Sequence, residues 1–374
     1  MKGDMTKIPF FSLTYDQFKM SLETHGLKPY AATQVFDWIY RKLVMDQNQW
    51  LNISKKDRLI LENHYEFSLP KVLWQGESTD GTKKFLFKMT DGESIESVII
   101  PGKARLTLCI SSQVGCAMGC NFCHTATQGL KRHLLVEEVV GQFMAANLFL
   151  FEKAQKLKME IAPRLTNIVY MGQGEPLHNF DRMKSATEIF LDQKGIGLGQ
   201  RKITLSTSGL APQIERLKDF PPINLAISLH SPRDAVRTSL MPINKTYNLE
   251  RLFKAIKSVP LKAHRRITYE YLLISELTDT QEDVDLLAKL LERSESKINL
   301  IPFNEFPGSQ YKRPTEEKIF WFMDQMIKKG FTCTVRATKG KDILAACGQL
   351  KSEYEKVNLW PSLETNFESA AVFH

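Results

Sequence analysis

Apolar side chains recur at helical spacing near the start of the chain: they are Val35, Phe36, Ile39 and Leu43. This period predicts an amphipathic helix whose apolar face packs on a small core. Thr14 with Gln17, and Ser54 with Asp57, have the spacing of capping boxes and predict helix starts on either side. Residues 1–70 are therefore predicted to form a small N-terminal helical domain.

A β-rich stretch follows the helical part. Two Thr-Asp-Gly turns, at 79–81 and 90–92, flank the strand-like run 84–88, and a further strand is predicted at 97–100. We expect residues 71–104 to form a β extension that links the helical domain to the core of the protein.

Short apolar runs of strand character recur in the rest of the chain, with helical stretches between them. They occupy residues 106–110, 167–171, 202–206, 224–228, 267–274, 297–302 and 332–336. Runs that are apolar on both faces and alternate with helices predict parallel strands of repeated βα units. The expected fold class is α/β, a partial (β/α) TIM-type barrel over residues 105–350. The C-terminal tail, 351–374, has no assigned role.

The composition is that of an ordinary soluble protein, with 43% hydrophobic and 25% charged residues among 374. Lys and Arg outnumber Asp and Glu by 50 to 42, and this surplus of +8 favours a polyanionic partner. The first residues lack a signal-peptide pattern, and no apolar run is long enough to cross a bilayer. We therefore expect a cytoplasmic protein without a membrane partner, whose six cysteines are reduced thiols.

Three cysteines form the most informative motif. Cys116, Cys120 and Cys123 follow the spacing C-x3-C-x2-C and have no fourth cysteine nearby. A structural zinc site needs four closed ligands, so zinc would require His124 or a distant cysteine. Three thiolates suit a 4Fe–4S cluster with one open iron. This spacing is similar to that of the radical S-adenosylmethionine (SAM) enzymes, in which SAM occupies that iron.

Polar residues collect just after the predicted strands, where the chemistry of (β/α) barrels is located. The candidate SAM-binding residues there are Gly174, Glu175, Ser206, Ser228, Leu229, His230 and Asn304. Glycine lets the backbone approach a ligand closely, a carboxylate accepts a hydrogen bond from an ammonium group, and the other side chains offer donors and acceptors for ribose and adenine. Each residue alone has an ordinary explanation as a turn, a cap or a core position; their common location favours a ligand site.

Three further cysteines lie outside this motif. Cys109 and Cys333 fall inside predicted strands and have the pattern of small buried hydrophobic residues. Cys347 lies past the last strand, between small neighbours that would let a substrate approach. Its thiol is a candidate nucleophile or methyl carrier, although its spacing alone does not decide this.

Together these segments resemble the radical SAM RNA methyltransferases that modify an aromatic carbon of adenosine. Within that family the resemblance is closest to the members that methylate adenine C2 in 23S rRNA and tRNA. It covers nearly the whole chain, from residue 28 to residue 350. The segments that carry it are 108–116, 174–176, 205–209, 228–230, 241–244, 299–302 and 345–350.

The resemblance implies a mechanism that uses two of the cysteines and two SAM molecules per turnover. One SAM methylates Cys347, and a second SAM, bound to the cluster, is cleaved to a radical that removes hydrogen from that methyl group. The carbon radical adds to the adenine ring, and Cys109 then attacks the Cys347 sulfur, releasing the product and leaving a disulfide. Glu96 matches a family glutamate that accepts a proton as the adduct collapses. Without the resemblance, Glu96 is predicted to be a solvent-facing strand residue.

The resemblance also implies the partners, 23S rRNA and tRNA. The N-terminal domain and a basic surface would hold the RNA, mostly through phosphates and shape. Candidate basic residues, each of which alone equally suits a solvated charged face, are Lys131, Arg132, Arg265, Arg266, Lys328 and Lys329. A flavodoxin-type electron donor and a disulfide reductant would regenerate the enzyme, which we expect to be a monomer.

Other functions stay open at this point. They are methylation of C8 of the same rRNA adenosine, as in the antibiotic-resistance type, a radical SAM enzyme with a non-RNA substrate, and a zinc-bearing RNA-binding module. The C8 type tends to carry glycine at the position of Ala126, which favours C2. Two residues depart from the family pattern: Gln173 replaces a methionine, and His124 stands where a small residue is commoner.

Overall fold

The structure is a computed structural model and describes residues 6–260 and 265–352. Its N-terminal part combines a short parallel strand pair with three helices. In chain order these elements are β1 (Ile8–Pro9), α1 (Tyr15–Thr24), α2 (Tyr30–Phe36), α3 (Lys55–His64) and β2 (Tyr65–Glu66).

Aromatic side chains fill the centre of this part. The ring of Phe10, which is fully buried, lies 5.0 Å from the rings of Phe18 and Phe67 and 5.4 Å from that of Phe36. Such ring pairs contribute about 0.5–1.5 kcal/mol each beyond the apolar area that they bury. The cluster continues without a break into the core of the barrel.

The helix predicted around residue 39 changes its form along its length. The four apolar residues that predicted it are all buried. However, α2 ends at Phe36, and a π-helical turn, Asp37–Arg41, continues it. The capping box of Thr14 and Gln17 is confirmed at the start of α1.

A ten-stranded sheet is the centre of the rest of the described chain, and its first part is antiparallel. β3 (Lys71–Glu77), β4 (Lys83–Lys88) and β5 (Ser94–Gly102) make two successive hairpins, and β5 pairs with β6 (Arg105–Cys109). Both predicted Thr-Asp-Gly turns lie at the hairpin connections. A separate antiparallel pair, β7 (Gln113–Gly115) and β8 (Leu130–His133), encloses the cysteine loop.

From β6 onward the main sheet is parallel. The remaining strands are β9 (Asn167–Tyr170), β10 (Ile203–Thr207), β11 (Asn224–Ser228), β12 (Ile267–Leu273), β13 (Ser296–Pro302) and β14 (Thr332–Val335). The helices of this part are α4 (Val136–Lys156), α5 (Phe180–Leu191), α6 (Ala211–Glu215), α7 (Asp234–Leu240), α8 (Leu249–Lys257), α9 (Gln281–Leu290) and α10 (Glu316–Lys328).

The strand order confirms the predicted fold class. From one edge the order is β14-β13-β12-β11-β10-β9-β6-β5-β4-β3. In the part of the chain that the structure describes, β14 and β3 are the edge strands, so the barrel is partial. All the predicted barrel strands are present, and their ends differ from the prediction by at most one residue.

The N-terminal part and the barrel are joined by polar contacts. The Tyr15 N–H donates to the Asp192 carboxylate at 2.7 Å, and the Arg164 guanidinium donates to the Tyr40 carbonyl at 3.2 Å. Among the described residues, no helix has the length and apolar character needed to cross a membrane. Of the predicted tail, residues 353–374 lie outside the described residues.

Candidate active site

The three cysteines of the C-x3-C-x2-C motif lie on one loop at the mouth of the barrel. The loop is fixed at its start by a hydrogen bond of 2.8 Å from the Cys116 N–H to the Gly129 carbonyl. Gly115 precedes it with φ +74°, and a Cβ there would lie 1.8 Å from the Gly129 oxygen, so only glycine fits. Cys116, Cys120 and Cys123 all line one cavity of about 950 Å³.

Most of the candidate SAM-binding residues line this same cavity. Those present are Gly174, Glu175, Ser206, Ser228, His230 and Asn304. Leu229 is fully buried behind them, and its N–H donates to the Glu270 carbonyl at 3.0 Å. The barrel therefore brings the strand-end residues and the cysteine loop to one concave site.

Glu175 presents a buried carboxylate to the cavity. It accepts hydrogen bonds from the N–H groups of Ser208, at 2.7 Å, and Leu177, at 3.0 Å. Burial raises the pKa of the Glu175 carboxyl, and these donors oppose the rise. Gly174, which precedes Glu175, has no room for a side chain, since a Cβ on it would lie 2.5 Å from the side chain of Gln113.

Ser206 and His230 both contact Glu270. The sequence analysis did not identify Glu270 as a residue of the site. Ser206 Oγ donates to Glu270 Oε2 at 2.8 Å. His230 is buried with φ +59°, and burial, together with the Arg237 charge, lowers the pKa of its imidazole to about 3. The ring is therefore neutral and faces Phe122 edge-on at 4.8 Å.

Arg237 is a second residue that the sequence did not reveal. It is fully buried and donates to the carbonyl oxygens of Leu229 at 3.1 Å, Ser208 at 2.8 Å and Ser228 at 3.3 Å. One planar guanidinium thus ties together the ends of two strands that line the cavity. An arginine on a short helix carries no sequence signal for this role, because its partners are distant carbonyls.

Cys347 lies between two cavities. It lines the large cavity and also a smaller one, of about 510 Å³, which Cys109 lines as well. Burial raises the pKa of Cys109 to about 12 and also raises that of Cys347, and the Arg336 guanidinium acts in the opposite direction on both. All six cysteines are free thiols. The arrangement brings a thiol pair together at the edge of the larger site.

Glu96 is not the solvent-facing residue that the strand pattern predicted. Its side chain is 5% exposed and forms an ion pair of 2.7 Å with Lys84 on the neighbouring strand. The prediction was wrong because both faces of β4 and β5 are covered, so strand alternation did not separate an inner from an outer face. Its second oxygen accepts the Lys351 N–H at 2.9 Å.

The loop that carries Cys347 is docked on the β extension. Ser78 Oγ donates to the Asp342 carboxylate at 2.6 Å, and the Gly340 N–H donates to that of Asp80 at 3.0 Å. Beyond the cysteine, Thr125 Oγ1 donates to the Leu350 carbonyl at 2.6 Å. The Thr-Asp-Gly turn, predicted only as a hairpin connection, is thus also an anchor for this loop.

The two departures from the family pattern both contact this loop. Gln173 is fully buried, and its Oε1 accepts from the Glu96 N–H at 2.8 Å and from Ser352 Oγ at 2.9 Å. Its Nε2 donates to Gln128 at 2.9 Å. The N–H of His124 donates to the Gly348 carbonyl at 2.7 Å. Both residues therefore hold the segment around Cys347.

The residues around the larger cavity fit a bound polar ligand. Within the described residues, His230 Nδ1, Ser208 Oγ and Glu270 Oε1 are buried without a hydrogen-bond partner. Buried polar atoms are ordinarily paired, so these three suit a ligand with its own donors and acceptors. Across residues 6–260 and 265–352, no three Cys, His, Asp or Glu side chains converge as ligands of a single ion would. Cys116, Cys120 and Cys123 do line the same cavity, and three thiolates are the ligand set expected for a 4Fe–4S cluster with one open iron.

Most of the basic residues proposed for RNA contact are paired with nearby groups. Lys131 and Arg132 form ion pairs of 2.7 Å with Glu93 and Glu138, and Lys329 forms one of 2.8 Å with Asp285. Lys328 pairs with Asp324, and Arg266 donates to Thr332. Nothing in these contacts selects an RNA-binding face.

Comparison with known proteins agrees with this geometry. Residues 110–291 match the model of the radical SAM superfamily, and residues 8–67 match that of the ribosomal RNA large subunit methyltransferase N-terminal domain. A dual-specificity RNA methyltransferase RlmN from Bdellovibrio bacteriovorus is 42% identical over 349 residues, which cover 93% of this chain and 85% of that protein. The chain belongs to the RlmN family of radical SAM methyltransferases.

Further relatives support the RlmN assignment. An RlmN from Syntrophus aciditrophicus is 40% identical and is covered over 98% of its length. The crystal structure of a radical SAM methyltransferase from Sphaerobacter thermophilus superposes with a TM-score of 0.84 at 37% identity, covering 92% of this chain and 100% of that one. Membership of this family implies a 4Fe–4S cluster and SAM as cofactors.

Proposed function

We propose that this protein methylates C2 of adenosine in 23S rRNA and tRNA, with Cys347 as the methyl carrier and Cys109 as the thiol that releases the product. The observation that carries the proposal is the position of Cys347 between two cavities. Cys116, Cys120 and Cys123 line one cavity, and Cys109 lines the other. A methyl carrier has to meet both the methyl donor and the acceptor, and a residue on the border can do so.

The site residues keep the roles that the sequence suggested, as part of this proposal. Cys116, Cys120 and Cys123 would hold the cluster. SAM would be held by Gly174, Glu175, Ser206, Ser228, Leu229, His230 and Asn304. When bound, the cluster supplies an electron for the cleavage of SAM, and SAM supplies both the methyl group and its activation, so two SAM molecules are consumed per turnover.

The thiol of Cys347 accepts the methyl group. A thiolate is the reactive form, and burial alone disfavours it. Arg336 provides the compensating positive charge, since its guanidinium lowers the pKa of Cys347 against the effect of burial. Small and apolar residues, among them Ala345, Ala346 and Met171, line the smaller cavity beside the thiol, together with the polar side chains of Asn304, Arg336, Thr338 and Lys339.

Glu96 accepts the proton that C2 loses. The radical adduct would also give up one electron, which the cluster would take back, so that a closed-shell thioether is left for Cys109 to cleave. The Cys109 thiolate attacks the sulfur of Cys347, and the bond from that sulfur to the adenine-linked carbon breaks with its electron pair on carbon. The carbon takes up a proton and becomes the methyl group of the product. The cysteines are left as a disulfide, which an external dithiol reduces.

The partners follow from the same chemistry. The net charge of +8 supports a polyanionic RNA substrate, and the adenosine must be unstacked to enter a concave site of this kind. A flavodoxin-type donor would supply the electron. We propose that the protein acts as a monomer in the cytoplasm.

Methylation of Cys347 in the absence of RNA tests this proposal. The reconstituted protein is incubated anaerobically with SAM and reductant, digested, and its cysteine peptides are analysed by mass spectrometry. We expect one methyl group on Cys347 and none on Cys333, a buried thiol outside both cavities. A protein that cleaves SAM but never carries a methyl group on Cys347 would contradict the proposal.

A further inference from the structure

Lys84 is a lysine buried in the interior of the β extension. The side chain of Lys84, on β4, is 1% exposed, and its Nζ lies 2.7 Å from Glu96 Oε1. The Glu96 side chain is 5% exposed. Desolvation of each charge is costly, so a buried pair of this kind persists only where its partners are well placed.

The strand register places this pair on the face of the sheet that carries Cys109. Lys84 lies opposite Val98 across β4 and β5, and Val98 lies opposite Cys109 across β5 and β6. Residues directly opposite each other point to the same face of a sheet. Val98 and Cys109 also pack in one buried cluster. The ion pair therefore belongs to the side-chain layer of one of the two proposed reacting thiols.

Lys84 also contacts the loop that carries Cys347. Its Nζ donates a hydrogen bond of 3.2 Å to the Leu344 carbonyl. Leu344 has φ +50°, a left-handed conformation that is unfavourable for leucine and must be held by its surroundings. Glu96 contacts the same loop on the other side of the cysteine, through the Lys351 N–H. Lys84 and Glu96 together thus bracket Cys347.

We propose that Lys84 is a positioning residue for the methyl transfer, which holds the Glu96 carboxylate against the Cys347 loop. The inference rests on the proposed function, since it assumes that Glu96 accepts the proton from the RNA adduct. Lys84 itself touches neither cofactor nor substrate in this account. Its ammonium fixes one carboxylate oxygen, so the other keeps a single orientation relative to the loop.

The consequence concerns one step of the reaction. Methylation of Cys347 requires SAM and the thiol but not Glu96. Collapse of the adduct requires Glu96. Loss of the Lys84 ammonium should therefore slow release of the RNA much more than it slows methylation of the cysteine, and an RNA–protein crosslink through Cys347 should accumulate.

The test compares Lys84→Met, Lys84→Arg and a matched control, Lys83→Met. Lys83 is the adjacent residue on the same strand, but its ammonium pairs with the exposed Glu77 at 2.7 Å. For Lys84→Met we expect methylation of Cys347 within about twofold of wild type, release of methylated RNA lowered about tenfold or more, and crosslinked RNA on denaturing gels. Lys84→Arg keeps a cation and should recover most of the release. Lys83→Met should behave as wild type.

Two outcomes would overturn the inference. One is a folded Lys84→Met protein that releases product at the wild-type rate. The other is a parallel loss of Cys347 methylation and product, without crosslink and without recovery by Lys84→Arg, which indicates a merely structural role. Should Lys84→Met not fold, Lys84→Met/Glu96→Gln removes both charges. That double variant should accumulate crosslink to the level of Glu96→Gln alone, and a further decrease in cysteine methylation would contradict the inference.

The wild-type protein separates this inference from the proposed function. Wild type that forms no methyladenosine and no crosslink would refute the proposed function, whatever Lys84 does. Active wild type with an unaffected Lys84→Met variant would remove only the role of Lys84.

Discussion

Asn304 Nδ2 donates a hydrogen bond of 3.1 Å to the backbone carbonyl of Cys347. Its Oδ1 accepts from Thr338 Oγ1 at 3.0 Å, so both ends of the amide are engaged. Asn304 was predicted as a SAM-binding residue, and it lines both cavities. The contact with Cys347 adds a function that the sequence did not indicate, since it fixes the backbone of the proposed methyl carrier.

Substitution of Asn304 should therefore slow methylation of the cysteine. Asn304→Ala leaves the Cys347 carbonyl without this partner, and a lost hydrogen bond of this kind costs about 1 kcal/mol or more. We expect the rate of Cys347 methylation, measured by peptide mass spectrometry, to fall about tenfold. Thr338→Val removes the outer bond to Asn304 and the acceptor of the Arg313 guanidinium but keeps the bond to the Cys347 carbonyl, so it should have a smaller effect. Equal rates in wild type and Asn304→Ala would show that the contact does not position the loop.

Cys109→Ala should trap the RNA on the protein. The variant keeps Cys347 and the three cysteines of the proposed cluster site but lacks the thiol that we propose attacks the Cys347 sulfur. We expect a covalent RNA–protein species on denaturing gels, and Cys347→Ala should give neither this species nor methylated RNA. Cys333→Ala is the control, because it removes a buried thiol that lies outside both cavities. Full product release by Cys109→Ala would exclude Cys109 from the mechanism.

Gln173 should stabilise the segment that follows Cys347. Its amide bonds to the Glu96 N–H, Gln128 and Ser352, and a thioether in its place would donate no hydrogen bond. We expect Gln173→Met to lower the free energy of unfolding by about 2 kcal/mol and to increase proteolytic cleavage near residue 352.

Gln193→Leu is the matched control for this prediction. Gln193 is exposed and makes only a local hydrogen bond to the Leu191 carbonyl. Its loss should leave both the unfolding free energy and the cleavage rate unchanged. A Gln173→Met protein as stable and as resistant as this control would show that the buried network contributes nothing.

His230 should make the protein less stable in mild acid. Burial lowers the pKa of the folded imidazole from 6.5 to about 3, so the unfolded chain binds a proton in this interval that the folded chain does not. Stability therefore falls as the pH decreases below about 6.5, by about 2 kcal/mol at pH 5 from this residue. Asn also tolerates the left-handed backbone, which makes His230→Asn the suitable variant.

Urea unfolding at pH 7 and pH 5 measures this effect. The decrease in unfolding free energy between the two pH values should be about 2 kcal/mol smaller in His230→Asn than in wild type. Equal decreases in the two proteins would mean that His230 is not buried in its neutral form.

The barrel strands were predictable because their sequences are apolar on both faces. For example, the strand predicted at residues 224–228 has the same two ends in the structure, Asn224–Ser228. The cysteine loop was predictable from spacing alone, since its three cysteines are close in sequence. Local patterns therefore fixed the architecture and the position of the larger cavity.

The partners of buried polar residues could not be predicted. The strand pattern predicted only that Glu96 faces solvent, and the packing of the extension shows that Glu96 and its partner Lys84 are both covered. Arg237 donates hydrogen bonds to backbone carbonyl groups, which every residue type has, so the sequence does not reveal its partners. The link from Asp80 to Gly340 joins residues far apart in the chain. Such contacts depend on tertiary structure, which a pattern of residue types does not encode.

The most direct measurement is a nucleoside digest of RNA after reaction. Unmodified 23S rRNA fragment and tRNA are incubated anaerobically with the reconstituted protein, SAM and reductant, and the nucleosides are separated and identified by mass spectrometry. We predict 2-methyladenosine from both RNAs and none with Cys347→Ala. 8-Methyladenosine would contradict this prediction in favour of the resistance-type activity, and the absence of any methyladenosine while SAM is still cleaved would contradict the assignment of RNA as the substrate.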